Sequence, residues 1–190
     1  MTAADPLEYW QVPHLLALDF DALMQLFTTL DAPSPGEMRG EYAGIDYYGL
    51  TEETFAAALG RVKAGNGSFW LGKGFPGEEG EGASGYNRIL HPNGTVARRD
   101  RFGIYRLPSP LDGKISLCLK YSDFDNGAGN IGFFDEIRKV NDTLFLCTGT
   151  PEEGAGAPGF FILSGPAVPF GGVDDPQGEL LPNSPQRGDA

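Results

Sequence analysis

Gly40-Glu41-Tyr42-Ala43-Gly44 and Trp70-Leu71-Gly72-Lys73-Gly74-Phe75 are the two stretches whose reading decides the fold. In each, aromatics and glycines alternate over a strand-length run, and the second sets a lysine among apolar neighbours. Such runs read as the opening strands of a small antiparallel barrel with an apolar interior. Extended to full length, they span 38–48 and 68–75. Further strand-like runs follow at 85–91, 95–107, 114–122, 131–140, 143–150 and 159–164. The turns between them carry hairpin chemistry: Pro92-Asn93-Gly94, Leu111-Asp112-Gly113 and Asn141-Asp142. The total is about eight strands, near the number at which a closed barrel can hold one small ligand.

Two helices are expected. In 19–30, Phe20, Leu23, Met24, Phe27 and Leu30 fall on one stripe, Asp19 is placed to cap, and Pro33 and Pro35 forbid continuation. That stripe should pack over a sheet or plug a barrel end. A short helix should follow the first strand, capped by Thr51 and ended by Gly65 and Gly67, with Phe55, Leu59 and Val62 as its apolar stripe.

At 190 residues, of which 41% are apolar, the chain suits one domain with a proper core. Its 28 glycines and 15 prolines suit short strands and tight turns rather than a helical bundle. The expected division is an N-terminal arm over 1–18, a barrel over 19–170, and a disordered tail over 171–190, which is too poor in apolar residues to fold alone. The net charge of −12 and pI near 4.5 exclude nucleic acid and anionic membrane surfaces as partners. No run reaches the ~20 apolar residues of a membrane span. With no signal-peptide pattern at the start, a cytoplasmic location is expected, with Cys118 and Cys147 as reduced core residues. Self-association into a homodimer is left open.

The order of four motifs resembles the bacterial lipocalin-like GXWXG/DUF4334 family, a group of largely uncharacterised function. They are the helix and linker leading to Gly40–Gly44; Trp70 to Phe75; the strand ending Tyr121-Ser122-Asp123; and Phe134-Asp135-Glu136-Ile137-Arg138-Lys139-Val140-Asn141-Asp142 with the strands after it. Tyr42 stands at the family's central tryptophan, Glu136 where a histidine is expected beside the aspartate, and Phe133-Phe134 in place of a proline-isoleucine pair. The resemblance implies a calycin-type barrel with a central cavity and implies no activity.

Alternation sets Phe69, Leu71, Lys73 and Phe75 on one face, and Ile131, Phe133, Asp135 and Ile137 on another. Lys73 and Asp135 are therefore charges on apolar faces, each costly to bury alone. They are expected to pair, either as a structural ion pair or as a functional one. With Tyr121, whose hydroxyl can face a ligand oxygen, they would form the catalytic set of a cofactor-free isomerase, lyase or cyclase. The leading expectation is instead a carrier or sensor for a small apolar or aromatic molecule. Its binding residues would be Tyr42, Phe69, Trp70, Phe102, Tyr121 and Phe133, with Arg106 at the rim. A third reading is a structural module filled by its own side chains. Arg138 and most of the cluster Arg98, Arg99 and Arg101 read as solvated charges. The two histidines, His14 and His91, lack metal-ligand spacing, so no metal is expected. His91 is the one residue that could hold a haem, and no cofactor is expected.

Overall fold

The computed structural model describes residues 6–46, 68–78, 83–126, 133–151 and 155–173. Two helices precede the sheet: α1 (Val12–Leu16) and α2 (Phe20–Thr29). The strands are β1 (Arg39–Asp46), β2 (Phe69–Pro76), β3 (Ser84–Leu90), β4 (Val96–Pro108), β5 (Ile115–Lys120), β6 (Phe134–Asn141), β7 (Leu144–Thr150) and β8 (Gly159–Val168). They form a closed antiparallel barrel in sequential order, with β1 returning to pair with β8. The expected helix after β1 and positions 174–190 of the expected tail lie outside the described residues.

Local chemistry sets the punctuation. Asp19 Oδ1 accepts from the Ala22 amide at 2.9 Å and starts α2. In three hairpin turns an Asn or Asp carboxamide or carboxylate oxygen accepts from the amide two residues on. These are Asn93 from Thr95 at 3.0 Å, Asp112 from Lys114 at 2.9 Å, and Asn141 from Thr143 at 3.1 Å. Each such bond offers the turn a local alternative to the ladder, so strands end there.

Two apolar clusters lie on opposite sides of the wall. The lumen holds Tyr42, Phe75, Phe102, Ile104, Leu117, Leu119, Tyr121, Ile137, Phe145, Cys147, Phe161 and Leu163. Its aromatics meet edge to face, with Tyr42 against both Phe75 and Phe145 at 5.6 Å. Outside, α2 lays Leu23 and Phe27 over Leu144, Leu146, Phe160 and Ile162 of β7 and β8. The helix thus covers the barrel wall. The N-terminal arm is docked on the barrel. Leu15 is fully buried, and the Asn141 amide donates to the carbonyls of Leu7 and Trp10 at 3.0 and 2.9 Å.

The outer wall also buries charge, which corrects two expectations. Arg138 is fully buried, because α2 and the β4–β5 turn close over it. It donates to Ser116 Oγ, the Leu30 carbonyl and Asp112, and its guanidinium lies 4.8 Å from the Phe27 ring. Arg98 is no balancing surface charge either. With Arg88 it flanks the fully buried carboxylate of Glu41, at 2.6 and 2.7 Å, while Tyr86 donates to the same carboxylate. The segment after β8 covers this group. Phe170 stacks on Tyr86 at 5.0 Å, and the Gly171 amide donates to the Tyr86 hydroxyl.

Glu136 shares the outer face with Arg138 and is fully buried. The hydroxyls of Ser109 and Ser116 lie beside its carboxyl oxygens. Burial, the largest cause, lifts its pKa above the ordinary 4.5, against the smaller opposing pull of the two serines and Arg138. A carboxyl whose pKa is raised by folding holds its proton in the folded state after the unfolded state has lost it. Stability should therefore fall as pH rises from the ordinary carboxylate range through the folded value. Thermal melts of Glu136→Gln should show a gain over wild type at neutral pH that vanishes at acid pH. An identical pH profile for both proteins would refute the buried-acid account.

Candidate functional site

Lys73 Nζ is the centre of a polar cluster inside the lumen. It forms an ion pair with Asp135 Oδ2 at 2.8 Å, donates to Asn87 Oδ1 at 2.9 Å, and makes a short contact with the Tyr121 hydroxyl. Tyr121 in turn donates to Asp135 Oδ2 at 3.1 Å and accepts from the Asn87 amide at 3.2 Å. Trp70 Nε1 donates to Asn87 Oδ1 at 3.1 Å. Four rings stand around the ammonium with centroids at 5.1–5.5 Å: Trp70, Phe102, Tyr121 and Phe161. Lys73, Tyr121 and Asp135 are buried, while Trp70 and Asn87 are half-buried. The cluster therefore lies one side chain beneath the surface.

Backbone irregularities assemble this group. β2 shifts register against β3 between Trp70 and Gly72, so the extra residue turns both Trp70 and Lys73 inward despite their odd spacing. Gly72 sits at φ +126°, and a Cβ there would run into the Tyr42 carbonyl, so only glycine fits. The same bulge corrects Phe69, whose face inverts: it is 56% exposed on the outside and lines nothing. A second bulge, in β4 opposite β3, leaves Asp100 at φ +56°. Tyr121 comes from a short 3₁₀ turn, Tyr121–Asp123, rather than from a continuing strand. That turn carries the phenol back over Phe102, with ring centroids 5.3 Å apart.

Of the remaining expected residues, Tyr42 lies in the lumen, where its hydroxyl donates to the Glu37 carbonyl at 3.4 Å. Phe133 is half-buried against the lumen cluster. Arg106 is exposed near the end of β4 and joins none of the contacts around Lys73. Two members were missed from sequence, Asn87 and Asp100. Asn87 had a signal: a lone amide inside a strand is disfavoured unless something binds it.

Electrostatics favour a protonated phenol. Burial first, and the Asp135 charge second, push the Tyr121 pKa well above its ordinary 10. Burial also raises the Asp100 carboxyl, against the opposing charges of Arg99 and Lys73. The group thus combines a cation, a carboxylate and a neutral hydroxyl donor within mutual reach, walled by aromatic faces. It can hold a ligand oxygen or pass a proton between Lys73, Tyr121 and Asp135.

Among the described residues, no group of His, Cys, Asp and Glu side chains could hold a metal ion, and no helix is long and apolar enough to cross a membrane. No family model and no curated protein matches the chain. Among solved structures, it is similar to a protein from Thermomonospora curvata. The two are 16% identical over 77% of this chain and 87% of that one, with a TM-score of 0.53. A likeness at that identity carries the fold alone, and the fold they share is the antiparallel barrel.

Proposed function

We propose that the barrel binds a small aromatic or apolar molecule carrying one oxygen function. The rings of Trp70, Phe102 and Phe161 would receive its apolar body, and Lys73, Tyr121 and Asn87 its oxygen. The observation that carries this reading is the convergence of polar groups from β2, β3, β6 and the Tyr121 turn on one point of an apolar lumen. A register-fixing ion pair needs only Lys73 and Asp135. It does not require Asn87, Tyr121 and the Trp70 indole N–H to be aimed at the same spot. Apolar pockets with a few placed polar groups are the usual pattern of small-molecule sites.

The ordered motifs that resemble the lipocalin-like GXWXG family imply a barrel with a central cavity, which such binding needs, and no activity. A cytoplasmic setting fits Cys118 and Cys147, both buried and free. One observation favours a second reading, a cofactor-free enzyme of isomerase, lyase or cyclase type: Tyr121 touches both Lys73 and Asp135, so a proton has a continuous route.

Titration with the apolar fluorophore N-phenyl-1-naphthylamine should give about 1:1 binding. Phe102→Ala should weaken it roughly tenfold, the share of one aromatic wall. Absence of binding would leave the structural-module reading. Native mass spectrometry of freshly purified protein should then identify any retained molecule.

A further inference from the structure

We propose that Lys73 captures apolar conjugated aldehydes as a protonated imine inside the barrel. The inference rests on the binding reading above and names the ligand class for the same site.

Three observations carry it. Among the described lysines only Lys73 is buried, its side chain 4% exposed against 29–43% for Lys114, Lys120 and Lys139. Burial beneath aromatic rings limits the water that would compete for a carbonyl carbon, a condition that imine formation at a lysine needs.

The second observation is the hydrogen-bond redundancy around Nζ. The ammonium spends its three donors on Asp135, Asn87 and Tyr121. Each acceptor also has a second donor: Asn87 Oδ1 receives Trp70 Nε1, Asp135 Oδ2 receives the Tyr121 hydroxyl, and the Tyr121 oxygen receives the Asn87 amide. An iminium keeps a single N–H, which Asp135 can take. Losing the other two donors strands no buried acceptor, so the penalty that normally guards a buried ammonium is absent.

The third is the ring of Trp70, Phe102, Tyr121 and Phe161. It favours a cation at Nζ whether that cation is ammonium or iminium. The carboxylate of Asp135 stays as counter-ion in both.

The step balances within the group. Asp135 takes a proton from the ammonium, and the freed amine attacks the aldehyde carbon. A proton moves from the new N–C adduct to the alkoxide, giving a neutral carbinolamine. The proton held by Asp135 passes through Tyr121 to the carbinol oxygen, which leaves as water. Aldehyde plus ammonium thus becomes iminium plus water, with the Asp135 carboxylate restored.

The full-length protein is incubated with trans-cinnamaldehyde and sodium cyanoborohydride, and the reduced adducts are located by peptide mass spectrometry. Lys73 should be labelled about tenfold or more faster than Lys114, Lys120 or Lys139. N-phenyl-1-naphthylamine should block that labelling. Tyr121→Phe should slow it roughly a hundredfold. Labelling that follows exposure, with Lys114 ahead of Lys73, overturns the inference. Fluorophore binding without label on Lys73 overturns the imine and leaves the binding reading standing. Loss of both overturns both. Undiminished labelling in Tyr121→Phe overturns the role given to the phenol.

Discussion

Lys73→Met should destabilise the barrel by about 3 kcal/mol, because it leaves the carboxylate of Asp135 buried without its cation. The Tyr121 hydroxyl still donates to that carboxylate, which keeps the loss at the lower end of the range for a broken buried pair. The double variant Lys73→Met with Asp135→Leu should recover much of the loss, since removing both charges also removes their desolvation cost. Urea unfolding of the two variants beside wild type measures both steps. A single variant within about 1 kcal/mol of wild type would place the pair among weak exposed bridges and contradict the burial. Ligand binding separates the two roles: a double variant that folds but no longer binds assigns the pair to the site, while one that does both assigns it to the scaffold.

Arg138→Met should cost about 3–5 kcal/mol, for a different reason. The guanidinium is a three-way tie, joining the end of α2 through the Leu30 carbonyl, the β4–β5 turn through Asp112, and β5 through Ser116. Removing it leaves the Asp112 carboxylate without that partner, takes a donor from the buried Ser116 hydroxyl, and frees the Phe27 ring on one side. Arg138→Lys should rescue little, because a single ammonium cannot span the three directions of the fork. Hydrogen exchange should show α2 and the turn at Asp112 losing protection before the strands. Uniform loss across the barrel would refute the local tie.

Most strands and α2 were legible in the sequence because their ends are set locally. Asn93, Asp112 and Asn141 close their turns through their own side chains, and Asp19 caps its helix the same way. The Lys73–Asp135 contact was legible because two charges on apolar faces have few affordable arrangements. The faces at Phe69 and Trp70 were not legible. Alternation assumes an unbroken pleat, and one extra residue at Leu71 inverts everything before it.

The burial of Arg138 was hidden for another reason. A charged residue in a strand reads as solvent-facing unless its cover is known, and its cover comes from Leu30 and Asp112, remote in sequence. Arg98 and Glu41 pose the same problem, since their cover comes from the segment after β8, where Phe170 stacks on Tyr86 and Gly171 lies against Arg98.

The sequential strand order has a kinetic meaning. Among the described residues, seven of the eight strand pairings join neighbours along the chain, and only β1 with β8 brings distant segments together. Most of the sheet can zip forward hairpin by hairpin, the steps from β2 to β5 and from β6 to β8 closing short loops. The final seam carries the long-range entropy of ring closure. The rate of folding should therefore respond most to changes between Glu41–Asp46 and Phe161–Val168 that are present when the ring closes. Destabilising changes in the β6–β7 hairpin should show mainly in how fast the finished barrel unfolds.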